Sequence, residues 1–244
     1  MRILAVDTCA KSCSVAVTDA GCLEGEVFTR RRQTHSRHLM RMVDMVLEIS
    51  GMTMGEIDAF AVTRGPGSFT GLRIGISAVK GMALAGRKPV VGVSSLEALA
   101  WPMAMQGGLV CAILDAGKGE VYSASYRFPE APSRGDAASP PPDPSSRTIS
   151  DERALSPQDL LAGISGPCTF VGDGVRAYAG MIADRMGNLA RFPSDEHHDI
   201  RASAAARLAL LRLNRGGGDG VDVLVPRYIR RSDAELGLGK AQAP

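Results

Sequence analysis

The chain has 244 residues, 45% of them apolar and 22% charged, enough for one large domain or two small ones with an ample core. Its net charge of +2 argues neither for nor against nucleic acid as a partner, and five scattered cysteines (Cys9, Cys13, Cys22, Cys111, Cys168) do not suggest a disulfide framework. Asp7 follows only four apolar residues, too few for a signal-peptide core, and no segment approaches the roughly 18 apolar residues of a membrane helix, so a reducing cytoplasm and no membrane are expected.

In chain order, residues 2–7 read as a buried strand, 12–18 alternates as a second, and 22–29 continues after a turn at Asp19-Ala20-Gly21. These three strands are expected to form an antiparallel meander. A helix from about Thr34 to Ser50 ends at Gly51, the preferred residue just past a helix C-terminus. A strand over 58–63, a glycine turn, a helix over 68–85 and a strand over 89–93 follow. Ser94 is placed to cap a further helix running toward Gln106, with Glu97 at the capping-box position. Strands over 109–114 and 120–128 then open a second, shorter version of the same order. The stretch 129–147 holds six prolines and reads as an exposed extended loop. A short helix from Ser156-Pro157, a strand over 168–171 and helices over 173–186 and 200–214 complete the body. The fold class is α/β, with two ribonuclease H-like units, the second abbreviated. Residues 1–107 form the first lobe; 108–244 form a smaller one whose C-terminal segment returns to the first.

Chemistry is sparse along the chain. Gly65, Gly67 and Gly71 give G-x-G-x-x-x-G, one residue longer than the dinucleotide fingerprint, with no P-loop lysine after it. Gly65, Gly67 and Asp7 are therefore kept as a candidate remnant of an anion or nucleotide site, against the alternative of a structural turn and a turn-forming aspartate. Ser77-x-x-Lys80 matches the nucleophile motif of penicillin-binding enzymes but lacks its companions S-D-N and K-T-G. The pairs His35/His38 and His197/His198 have no tight carboxylate cluster, and Cys9-x3-Cys13 has no nearby histidine, so no metal site and no catalytic residue are assigned.

The helix over 36–50 carries Arg37, Arg41, Asp44 and Glu48 as one narrow stripe and apolar residues over the rest of its circumference, more than a single sheet needs to cover. The next long helix sets Gly71, Gly75, Ala78, Met82 and Ala85 at helical spacing as a flat face suited to close packing. A partner protein is expected there, through Leu39, Met42, Val43, Met45, Val46, Ile49, Gly71, Ile74, Gly75, Ala78 and Met82. The alternative is that both helices pack only on their own sheet. Arg30, Arg31, Arg32, Arg37 and Arg41 form a basic cluster that is either solvated surface or an RNA contact.

The stretches ILAVDTCAKSCSVAV, HSRHLMRMVDMVLE, IDAFAVTRGPGSFTGLRIGISAVKGMALA and PVVGVSSLEALA together resemble the bacterial TsaB (YeaZ) family over residues 1–127. Beyond that the resemblance rests on Gly172-Asp173-Gly174 and the ending VPRYIRRS. It implies a two-lobed actin-like ATPase (ASKHA) fold and the role of non-catalytic partner to TsaD in placing threonylcarbamoyl on the adenosine beside the tRNA anticodon. TsaD carries a metal-binding H-x-x-x-H helix; here Ser95 and Leu99 stand at those positions, and leucine has no donor atom. No cofactor is therefore implied. The implied partners are a TsaD-like catalytic subunit, a TsaE-like ATPase on the pair, a second copy when the chain is alone, and tRNA only through the complex. A metallopeptidase-like enzyme and a nucleotide-binding ATPase of the same superfamily are the competing readings.

Overall fold

The computed structural model describes residues 1–30, 35–129 and 148–230. Arg31, Arg32, Arg231 and all but Pro129 of the expected proline-rich loop lie outside the described residues, as does the side chain of His35.

The first sheet is built from β1 (Arg2–Asp7), β2 (Cys13–Asp19), β3 (Cys22–Thr29), β4 (Ala59–Thr63) and β5 (Val90–Val93), in the spatial order β3-β2-β1-β4-β5. The first three strands pair antiparallel as expected, and β4 joins β1 in parallel, with Ile3 opposite Ala59. Helices α1 (His35–Ile49) and α2 (Phe69–Gly86) cover one face. The other is covered by α6 (Ala202–Leu213), a segment from the far end of the chain. With both faces covered, β1 and β4 need apolar residues at consecutive positions, which is why they read as unbroken runs rather than alternating ones. Ala202, Ala205, Ala206 and Ala209 recur at i, i+3, i+4 and i+7 on α6 and are buried, so the helix axis sits close to the strands.

The second sheet repeats this plan strand for strand. It comprises β6 (Gly108–Gly117), β7 (Glu120–Phe128), β8 (Arg153–Leu155), β9 (Cys168–Val171) and β10 (Ala190–Arg191), in the order β10-β9-β6-β7-β8. Reading β6 to β10 as counterparts of β1 to β5 reproduces the order and every parallel or antiparallel pairing. Its helices are α4 (Pro157–Ala162) and α5 (Asp173–Met186), and α3 (Ser95–Ala100) joins the two sheets. Two ribonuclease H-like sheets in tandem, the second with outer strands of three and two residues, are the actin-like ATPase fold. The helix expected to run on to Gln106 is α-helical only to Ala100, then tightens to 3-10 geometry from Trp101, where Pro102 lacks the amide an α-turn would use. Strands β8 and β10 are too short for any periodicity to announce.

Charged pairs tie the sheets together. Arg30, at the end of β3, and Arg176 on α5 share the buried Asp199 and the exposed Asp195, which they hold at a pKa of about 2. Lys11, in the β1–β2 turn, reaches Asp115 of β6 at 3.2 Å. Glu26 on β3 accepts hydrogen bonds from Ser14, Arg201 and Ser203, anchoring the start of α6 where a negative charge also suits the helix N-terminus. Burial alone would raise the Glu26 carboxyl, but these donors outweigh it and hold it below its ordinary value of 4.5. A depressed folded-state value means a contribution present above pH 4.5 and lost as pH falls through the depressed value. Glu26→Gln is accordingly expected to cost about 2 kcal/mol at pH 7 and to flatten the acid limb of urea-melt stability below pH 4.5. An acid limb identical to that of the wild type would refute this role.

Candidate docking surface

Helix α1 divides its apolar residues in a way that the charged stripe determines. Leu39, Met42, Val43 and Val46 lie opposite Arg37, Arg41, Asp44 and Glu48 and are buried with Leu4, Val15, Val17 and Phe60 in the core beneath the helix. Each such burial contributes about 2 kcal/mol to folding. Those four side chains are therefore unavailable to a partner, a correction to the expected docking set whose physical reason is that the helix must first satisfy its own sheet. Met45 and Ile49 flank the stripe and remain 42% and 61% exposed.

A similar division holds on α2. Gly71 and Gly75 are buried against the β1–β2 turn: a Cβ on Gly71 would overlap the Thr8 carbonyl oxygen, and one on Gly75 the Thr8 hydroxyl. The Thr8 hydroxyl donates to the Gly71 carbonyl at 2.8 Å, fastening the helix there. Those two glycines admit the chain's own turn, not a second helix axis. Ile74, Ala78 and Met82 are half-buried beside the core, and α1 and α2 lie in contact. The candidate docking face thus reduces to Met45 and Ile49 with the outer parts of Ile74, Ala78 and Met82. Met40 and Leu84, also exposed, were absent from the expected set, although a helical wheel centred on the charged residues places Met40 beside the stripe.

The candidate anion site is closed by the protein itself. Asp7 is fully buried; its Oδ1 accepts from the Thr63 hydroxyl at 2.6 Å and from the Cys9 amide at 3.3 Å. In the glycine turn, the Ser68 amide donates to the Cys9 carbonyl and the Gly71 amide to the Ser68 hydroxyl, which caps α2. Gly67 packs so tightly on Cys9, and Gly65 on the Arg227 carbonyl, that neither tolerates a side chain. Two amides that a phosphate would need are engaged internally.

Among the other candidates, Arg30 is held by Asp195 and Asp199, whereas Arg37 and Arg41 are exposed. His198 is buried, and its Nδ1 accepts from the Gly172 amide at 3.2 Å. Ser95 and Leu99 are both buried on α3, and Leu99 packs against Gly172. Among the described residues no group of three or more His, Cys, Asp and Glu is assembled to hold a metal, and no helix is long and apolar enough to cross a membrane.

The profile of the family described as TsaD: tRNA N6-adenosine threonylcarbamoyltransferase matches residues 29–238. The chain is 30% identical to the tRNA threonylcarbamoyladenosine biosynthesis protein TsaB of Bacillus subtilis (strain 168) over 237 residues, 96% of either chain. It is 42% identical to the protein of the same name from Escherichia coli (strain K12) over 132 residues, 53% of this chain and 57% of that relative, so this match spans little more than half the relative's length. Among solved structures, YeaZ from Pseudomonas aeruginosa aligns at a TM-score of 0.74 and 28% identity, covering 93% of this chain and 99% of that one. A relative matched over nearly its whole length and a solved YeaZ of the same architecture agree with the motifs that carry the resemblance: the chain belongs to the TsaB (YeaZ) family.

Proposed function

We propose that this chain acts in the synthesis of threonylcarbamoyladenosine in tRNA as the non-catalytic partner of a TsaD-like transferase. The observation that carries the proposal is the pair of exposed apolar side chains on α1, Met45 and Ile49, which stay largely uncovered although Ile49 rests its inner atoms over Gly25 of β3. Adaptable methionine-rich surfaces suit a protein partner. The family's names place its members in this pathway. A hydroxyl at Ser95 and a hydrocarbon at Leu99, both buried, support a docking role over metal chemistry.

On this reading the lobes 1–107 and 108–244 are joined by the ion pairs of Arg30 and Lys11. The same face joins two copies in the absence of the transferase, a TsaE-like ATPase docks on the heterodimer, tRNA is met only in the assembly, and the work is cytoplasmic. Co-expression with a TsaD-like transferase from the same cell is the test. A stable one-to-one complex is expected, with transfer of threonylcarbamoyl to tRNA by the assembly and none by the isolated chain. Turnover by the isolated chain, or failure to form the complex, would overturn the proposal.

A further inference from the structure

A cavity of about 170 Å³ lies where the end of β4, the start of α3, the inner edge of the second sheet and the C-terminal segment meet. Arg64, Arg212 and Arg227 converge on it, together with the carboxylates Glu97, Asp151 and Glu152 and the hydroxyls of Ser94, Tyr126 and Thr148. Two of the three arginines are neutralised. Arg212 donates to Glu97 at 2.5 Å and to the Gly92 carbonyl at 2.7 Å; Arg227 lies 2.9 Å from Glu152, which also accepts from the Ser94 hydroxyl. Arg64 is different. Among the described residues its guanidinium meets no carboxylate and makes no hydrogen bond, although the residue is half-buried.

The Arg64 backbone is fixed from both sides, its amide donating to Val93 and its carbonyl accepting from Arg227. Its stem crosses Gly92 so closely that a Cβ there would stand 2.8 Å from the arginine Cδ. The absence of a side chain at Gly92 is what makes room for it. A half-buried guanidinium held in place without a counter-ion is costly, and its planar fork of five donors matches an oxyanion. Two hydroxyls line the same cavity. Thr148 makes no side-chain hydrogen bond among the described residues, and Tyr126 keeps its proton because burial and the neighbouring Glu152 and Glu97 push it well above the ordinary tyrosine range. The enclosed volume suits an anion of a few heavy atoms.

We propose that this cavity is a binding site for a small oxyanion, a phosphate group or a compact carboxylate, received by Arg64 and Thr148. The site is separate from the docking face, and either can fail without the other.

The test is titration of the full chain at low ionic strength with inorganic phosphate and, separately, acetate, followed by calorimetry and by NMR shifts. Saturable binding with a Kd on the order of 1 mM is expected for at least one of them. Phosphate binding that acetate does not compete assigns a phosphoryl ligand; acetate binding at equal strength assigns a carboxylate. Arg64→Gln is expected to weaken binding by about tenfold or more, while Arg185→Gln, on the exposed side of α5, leaves it unchanged. Should Arg64→Gln fail to fold by circular dichroism, Thr148→Val, at an exposed position, decides in its place, with a loss of about fivefold. Shifts that stay linear in both anions, or variants that bind as the wild type does, would overturn the site.

Discussion

Replacing Met45 and Ile49 together by glutamate is expected to leave the chain folded and to abolish its association, with a second copy and with a TsaD-like transferase alike. Both side chains stand outside the core, so the folded monomer loses little. At a docked interface each would place a carboxylate where an apolar contact had been. Two losses of hot-spot size, about 2 kcal/mol each, weaken binding by roughly a thousandfold. The informative control lies two residues before Met45, on the buried side of the same helix. Val43→Glu puts the same charge into the core beneath α1, where Val43 is 0% exposed, and is expected to yield insoluble or unfolded protein. Analytical ultracentrifugation of both variants separates the readings: if the Met45/Ile49 double variant associates as tightly as the wild type, the apolar strip is ordinary surface and the docking proposal falls.

Much of the scaffold was legible because its signals are local. The meander β1–β3 announces itself through alternation and the Asp19-Ala20-Gly21 turn, and α4 through Ser156-Pro157, whose serine side chain accepts from the Asp159 amide. The charged stripe on α1 was equally visible. The inward face is not ranked by it: the helix offers eight apolar positions, and only the sheet selects those opposite the charges. The electrostatic fastenings were invisible for a different reason. Glu26 meets Arg201 across 175 residues of sequence, and Glu97 meets Arg212 across 115. Glu97 sits at a capping-box position, and the Ser94 side of the box forms as expected, yet its carboxylate pairs with Arg212 on the returning C-terminal segment. The cavity at Arg64 draws on six separate stretches of chain, and no spacing rule connects them.

The glycines of α2 give the second large effect, and they separate packing from docking directly. Gly71 is buried where the helix passes over the β1–β2 turn, so a methyl group there must displace the Thr8 backbone rather than a flexible side chain. Gly81 lies on the same helix with nothing within 4 Å of the position its Cβ would take. Gly71→Ala is expected to destabilise the fold by about 3 kcal/mol, the overpacking penalty outweighing the gain in helix propensity, and to lower Tm by roughly 10 °C in a chain of this size. Gly81→Ala should instead raise stability by about 0.5 to 1 kcal/mol, because alanine restricts the unfolded chain and nothing opposes it in the folded one. Thermal melts of the two variants are the measurement. Were Gly71 a contact for another protein's helix, its alanine variant would keep the wild-type Tm and lose only affinity. A Tm that falls with the substitution in the monomer assigns Gly71 to the junction between α2 and Thr8, and with it the purpose of the glycine turn that opens the helix.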